Sequence, residues 1–90
     1  MKYLVTEIQK HKTGAVVIKN TEKTEWNGSA GALRLFYDTL SLASVSTSQM
    51  SCKVSITDEN MKRLKYDEVV NSNIVPDAPT PETPAESSGE

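Results

Sequence analysis

Ninety residues, 37% of them hydrophobic and 24% charged, suit one small domain below the length at which chains usually divide. One Cys and one His exclude an internal disulfide and a Cys/His zinc cluster, and no apolar run approaches the roughly 18 residues that span a bilayer. The formal charge of −2 arises at the C-terminal end: Asp77, Glu82, Glu86 and Glu90 stand there without a Lys or Arg, and setting these four aside leaves eight acidic residues against ten basic ones, about +2.

The first segment, Tyr3 to Lys10, alternates, with Leu4, Thr6 and Ile8 on one face and Tyr3, Val5 and Glu7 on the other, and predicts a strand. It stops at the polar turn His11-Lys12-Thr13-Gly14. Ala15-Val16-Val17-Ile18 is a short β-branched run bounded by Lys19-Asn20-Thr21, close enough to pair back as an antiparallel hairpin. The lone Lys2 and the absence of an apolar segment at the start give no secretory signal, which together with the unpaired Cys52 predicts a reducing cytoplasm or a particle assembled there.

Asn27-Gly28-Ser29 then precedes Ala30 to Ser44, where Leu33, Phe36, Leu40 and Ala43 recur at helical spacing with Tyr37 alongside. Ser29 or Asn27 is the expected N-cap, and Gly31 then falls in the first turn, where it costs up to about 1 kcal/mol. Trp26, in the polar connection before the helix, either staples against its first turns or stays exposed as a contact residue. Val45-Ser46-Thr47-Ser48 ends the helix, since β-branched and hydroxyl side chains compete with its hydrogen bonding.

Cys52, Val54 and Ile56 alternate with Lys53, Ser55 and Thr57; Asp58-Glu59-Asn60 turns; Leu64 and Tyr66 alternate with Arg63, Lys65 and Asp67. This second hairpin has an apolar and a basic face. The order β-β-α-β-β predicts an α+β fold, a four-stranded antiparallel sheet covered on one face by a single helix. The expected core comprises Leu4, Ile8, Val16, Ile18, Leu33, Phe36, Leu40, Cys52, Val54, Ile56, Leu64 and Tyr66. It is small, and association is a common supplement at this size. The domain is expected over residues 1–71, followed at 72–90 by a disordered, acidic, Pro/Glu/Ser-rich tail that holds all four prolines. Deleting residues 74–90 should leave the fold intact.

Few residues carry chemistry. His11 sits in a turn between Lys10 and Lys12 with no catalytic partner at a recognisable spacing, and Cys52 occupies an inward strand position where a free thiol behaves as a small hydrophobe. Phosphate loops, dinucleotide fingerprints, calcium loops and apolar-pocket carboxylate pairs are missing from the sequence, so no catalytic, cofactor-binding or metal site is expected. Lys53, Lys62, Arg63 and Lys65, with Lys10 and Lys12, form a basic set that a nucleic-acid surface would also show. Asp58, Glu59, Asp67 and Glu68 interrupt it, and the solvated outer face of a strand pair is the simpler reading. Trp26, Tyr37, Lys53, Arg63 and Lys65 are the candidate contact residues, as aromatics near a surface boundary or as outward strand positions.

Met1-Lys2-Tyr3-Leu4-Val5-Thr6-Glu7-Ile8-Gln9 and the helix ending Leu42-Ala43-Ser44-Val45-Ser46-Thr47 resemble a group of small uncharacterised proteins encoded by phages and prophages of low-GC Gram-positive bacteria. The resemblance covers residues 1–70. Where those proteins have a Leu-Pro-Val-His-like stretch after the helix, this chain has Ser48-Gln49-Met50-Ser51-Cys52, so no role for that histidine carries over. The resemblance implies a phage context and no activity. Within it the expected function is non-enzymatic protein–protein contact: a structural or assembly component that self-associates as a homo-oligomer or decorates a particle. The alternatives are an inhibitor or modulator of a host protein and, more weakly, a nucleic-acid-binding accessory protein.

Overall fold

Two alternating hairpins and one amphipathic helix assemble into a single sheet with a helix on one side. The computed structural model describes residues 1–77. Its elements are β1 (Tyr3–His11), β2 (Val16–Lys23), α1 (Ala32–Ser44), β3 (Gln49–Thr57) and β4 (Arg63–Val70), the expected α+β order. The sheet runs β2-β1-β3-β4, antiparallel throughout. Both hairpins are present, and they join through β1 and β3, which leaves β2 and β4 as edges. Every strand is longer than its apolar nucleus in sequence. β2 continues through Lys19, Asn20 and Thr21, the residues expected to bound it, because each pairs with β1.

The β1–β2 turn closes with His11 N–H donating to the Ala15 carbonyl at 2.9 Å and Gly14 N–H to the His11 carbonyl at 3.0 Å. Gly14 has φ +94°, a left-handed conformation that glycine takes without a Cβ clash.

The helix begins at Ala32, two residues later than its periodicity suggested, and neither Ser29 nor Asn27 caps it: Gly31 is the N-cap and contributes no side-chain bond. The free amides of the first turn instead find main-chain acceptors in the approaching segment. Ala32 N–H donates to the Glu25 carbonyl at 2.8 Å and Leu33 N–H to the Trp26 carbonyl at 3.0 Å. Gly31 is therefore outside the helix, and the main chain of Trp26 and Asn27 passes where its side chain would be.

The core also departs from expectation. Val5, Ala32, Phe36, Leu40, Ala43, Cys52, Val54 and Ile56 are buried together, whereas Leu4, Ile8, Val16, Ile18 and Tyr66 lie on the face turned away from the helix. Val5 pairs with Ile56, Glu7 with Val54 and Gln9 with Cys52, and residues directly opposite in an antiparallel pair share a face. The Tyr3-Val5-Glu7-Gln9 side of β1 thus faces the helix. On β4 the register shifts between Ile56 and Thr57; Leu64 and Tyr66 are left exposed, and Lys65 takes the inward position opposite Ile56.

Residues 72–77, placed in the tail by composition, follow the surface of the domain. The Asn71 side chain donates to the Ala43 and Gln49 carbonyls, both at 2.9 Å. Beyond it, Asp77 N–H donates to the Lys12 carbonyl at 3.0 Å, and the Asp77 carboxylate pairs with Lys12 at 3.4 Å. The remainder of the expected disordered tail, 78–90, lies outside the described residues.

Candidate interaction surface

A single helix is about 10 Å across, and four strands span nearly twice that width. Helix α1 packs mainly on β3, with smaller contacts to β1 and β4, and all of these lie on one side of the sheet. Among the described residues, no element covers the opposite side. From the strand registers its rows read Val16, Lys10, Ser51, Val70; then Ile18, Ile8, Lys53, Glu68; then Asn20, Thr6, Ser55, Tyr66; and at the far end Glu22, Leu4, Thr57, Arg63. One quadrant is apolar: Val16 is 59% exposed, Ile18 61% and Ile8 37%, and Ile8 and Ile18 are direct cross-strand partners. The remainder is mostly polar or charged, with both signs represented, and Leu4 and Val70 stand apart from the apolar quadrant.

On the helix side, where α1 stops short of β2, a groove of about 350 Å3 opens between Leu35 and Leu42 on the helix and Glu7, Gln9 and Lys19 on the sheet. Its floor carries a hydrogen-bonded row. The Gln9 carboxamide donates to Glu7 Oε2, the Cys52 thiol approaches the same oxygen at 3.9 Å, and His11 Nε2 lies 2.7 Å from Gln9 Oε1. This row places a Cys, a Glu and a His near one another. Its electrostatics oppose nucleophilic chemistry, because burial, reinforced by the Glu7 carboxylate, pushes the Cys52 thiol up to about 11. A thiol protonated at neutral pH is not a nucleophile. Among the described residues no group of three or more His, Cys, Asp or Glu is arranged to hold a metal ion.

The five candidate contact residues do not form one patch. Lys53 and Arg63 occupy the bare face, and the Arg63 guanidinium rests over the Tyr66 ring at 4.7 Å. Lys65, expected to point outward with them, is on the helix side. Its ammonium lies 5.5 Å from the Tyr37 ring and 5.7 Å from that of Phe36, so it covers the core's margin with its alkyl stem and keeps its charge at the rim. Tyr37 is half-exposed there and packs edge-on against Phe36. Trp26 is partly buried against the core, with its ring 5.3 Å from that of Tyr3, at the end of the sheet remote from Lys53. The residues that sequence reasoning missed as surface are Leu64, Tyr66 and, grouped on the bare face, Ile8, Val16 and Ile18. Their apolar character pointed to a core, and the only contrary signal was the inability of one helix to cover two faces.

No family model, curated protein or solved structure matches this chain. Among the described residues, no helix is long and apolar enough to cross a membrane.

Proposed function

We propose that this chain is a non-enzymatic phage protein that acts through protein–protein contact, as a structural or assembly component that self-associates or decorates a particle in the host cytoplasm or the virion. The observation that carries this reading is the bare sheet face: Ile8, Val16 and Ile18 meet solvent together on a domain whose single helix is committed to the other side. Contiguous apolar surface of this kind on a small domain marks a place where another surface packs. The protonated Cys52 thiol adds support to the non-enzymatic part of the proposal. The basic residues do not gather into a stripe, since Lys65 faces the helix and Glu68 stands directly beside Lys53, and this disfavours a nucleic-acid surface.

Absolute mass by light scattering over a hundredfold concentration range, at low and high salt and with residues 72–90 present or removed, tests the proposal. A mass that rises to a defined multiple and survives salt is the expected result. A single-chain mass throughout would overturn self-association and turn attention to the second reading, a modulator of a host protein, for which the Leu35/Leu42 groove supplies the specific observation.

A further inference from the structure

The two edges of the sheet differ. Half of the β4 residues are charged, namely Arg63, Lys65, Asp67 and Glu68, and the β3–β4 register is broken between Ile56 and Thr57. Charges and bulges are the devices that keep an edge strand from pairing with another chain. β2 carries its charges, Lys19, Glu22 and Lys23, after an opening run of three consecutive β-branched residues, Val16-Val17-Ile18, and pairs with β1 without a shift over its whole length. Among the described residues its other side has no strand, because β2 is the last in the order.

Resting on the self-association reading, we infer that β2 pairs antiparallel with β2 of a second copy, centred on Ile18, so that two sheets become one of eight strands. The register follows from symmetry and charge. A two-fold axis perpendicular to the sheet requires paired residues to share a face, so the centre falls on a residue and not between two. A centre at Lys19 opposes two lysines, a centre at Asn20 sets Ile18 against Glu22, and a centre at Thr21 sets Lys19 against Lys23. Like charges directly opposite are destabilising, as is a carboxylate placed on an isoleucine. A centre at Val17 aligns only three residues of each strand. The centre at Ile18 aligns Val16 through Asn20 with no opposed charges, placing Val17 against Lys19 and Val16 against Asn20. It also completes a row on the bare face. Ile8 and Ile18 of one copy continue into Ile18 and Ile8 of the other, and Lys53 and Glu68 flank the four isoleucines at either end. Both helices then lie on the same side of the joined sheet.

The experiment combines mass and cross-linking on the full chain. Ile18→Lys is expected to hold the mass at one chain across the hundredfold concentration range in which the unaltered protein reaches two. Circular dichroism unchanged from the parent will show that the exposed substitution leaves the fold in place. Ile18→Cys, with the buried Cys52 retained, is expected to form an intermolecular disulfide on mild oxidation, since the two Cα atoms face one another within the reach of an S–S bridge. Val16→Cys is expected not to, because this register separates the two positions by about 13 Å along the strands. A dimer that Ile18→Lys does not weaken, or one that cross-links through position 16 and not 18, would overturn the β2 pairing while leaving self-association standing. A single-chain mass for the unaltered protein at every concentration would overturn both.

Discussion

Gly31 shows how a residue's role depends on what passes beside it. A Cβ at this position would lie 2.4 Å from the Asn27 carbonyl oxygen and 2.7 Å from that of Trp26, both main-chain atoms. Gly31 has φ −85°, so the requirement is space and not a left-handed conformation. Gly31→Ala is expected to destabilise the fold by about 2 to 3 kcal/mol, as overpacking does, measured as a lower urea midpoint. A neutral or stabilising outcome, as expected for Gly→Ala inside a helix, would contradict the close approach. Cys52 makes a second case. Its pKa is raised from 9.0 to about 11 by burial and then by Glu7, so the folded state holds the thiol proton more tightly than the unfolded one. Stability linked to this group is complete below about pH 9 and is lost as pH rises toward 11. Urea midpoints are expected to fall more steeply between pH 9 and 11 for the parent than for Cys52→Ala; equal slopes would rule the linkage out.

At the scale of elements, β1 is the instructive one. Its Leu4-Thr6-Ile8 side is the more apolar by composition, yet the sheet buries the side of Val5 and Gln9. Alternation identifies a strand but does not say which face meets the core when both carry apolar residues. That choice is made by register. Cys52, Val54 and Ile56 are fully buried under α1, and the pairing of β3 with β1 brings Gln9, Glu7 and Val5 to the same side. Glu7 and Gln9 are tolerated there because they bond to one another at the helix's margin beside the groove. Truncating Val5 to Ala is therefore expected to cost about 2 kcal/mol, and truncating Ile8 to Ala less than about 1 kcal/mol in the monomer. Thermal melts of the two variants at low concentration provide the comparison, and a larger loss at Ile8 would reverse the assignment of faces. The β4 reading failed for a related reason: pairing sets Lys65 opposite Ile56 and Tyr66 opposite Ser55, so Lys65 faces the helix, and the register shift beyond them carries Arg63 to the face of Tyr66.

For the whole molecule, the described residues form two layers with one layer's far side uncovered. The C-terminal segment up to Asp77 ties to the β1–β2 turn through one main-chain bond and one partly exposed ion pair. Deletion of residues 74–90 is expected to preserve cooperative melting at a cost of no more than about 1 kcal/mol, the usual size of such surface ties. Loss of a cooperative transition would show that this segment belongs to the core. The bare face has a different consequence: stability of the full chain is expected to grow with protein concentration, because a copy bound to the folded state adds to its free energy by mass action.

Local patterning was sufficient for the inventory of elements, because periods of 2 and 3.6 are written into neighbouring residues such as Cys52-Val54-Ile56 and Leu33-Phe36-Leu40. It was also sufficient for the α+β class and for an inward Cys52. The strand order, the buried face of β1, the inward turn of Lys65 and the exposure of Ile8, Val16 and Ile18 were decided by tertiary structure. Each depends on the register between strands distant in sequence and on how much of a four-stranded sheet one thirteen-residue helix covers. Neither is encoded within any single segment, and it is the uncovered remainder that supplies this protein's candidate surface.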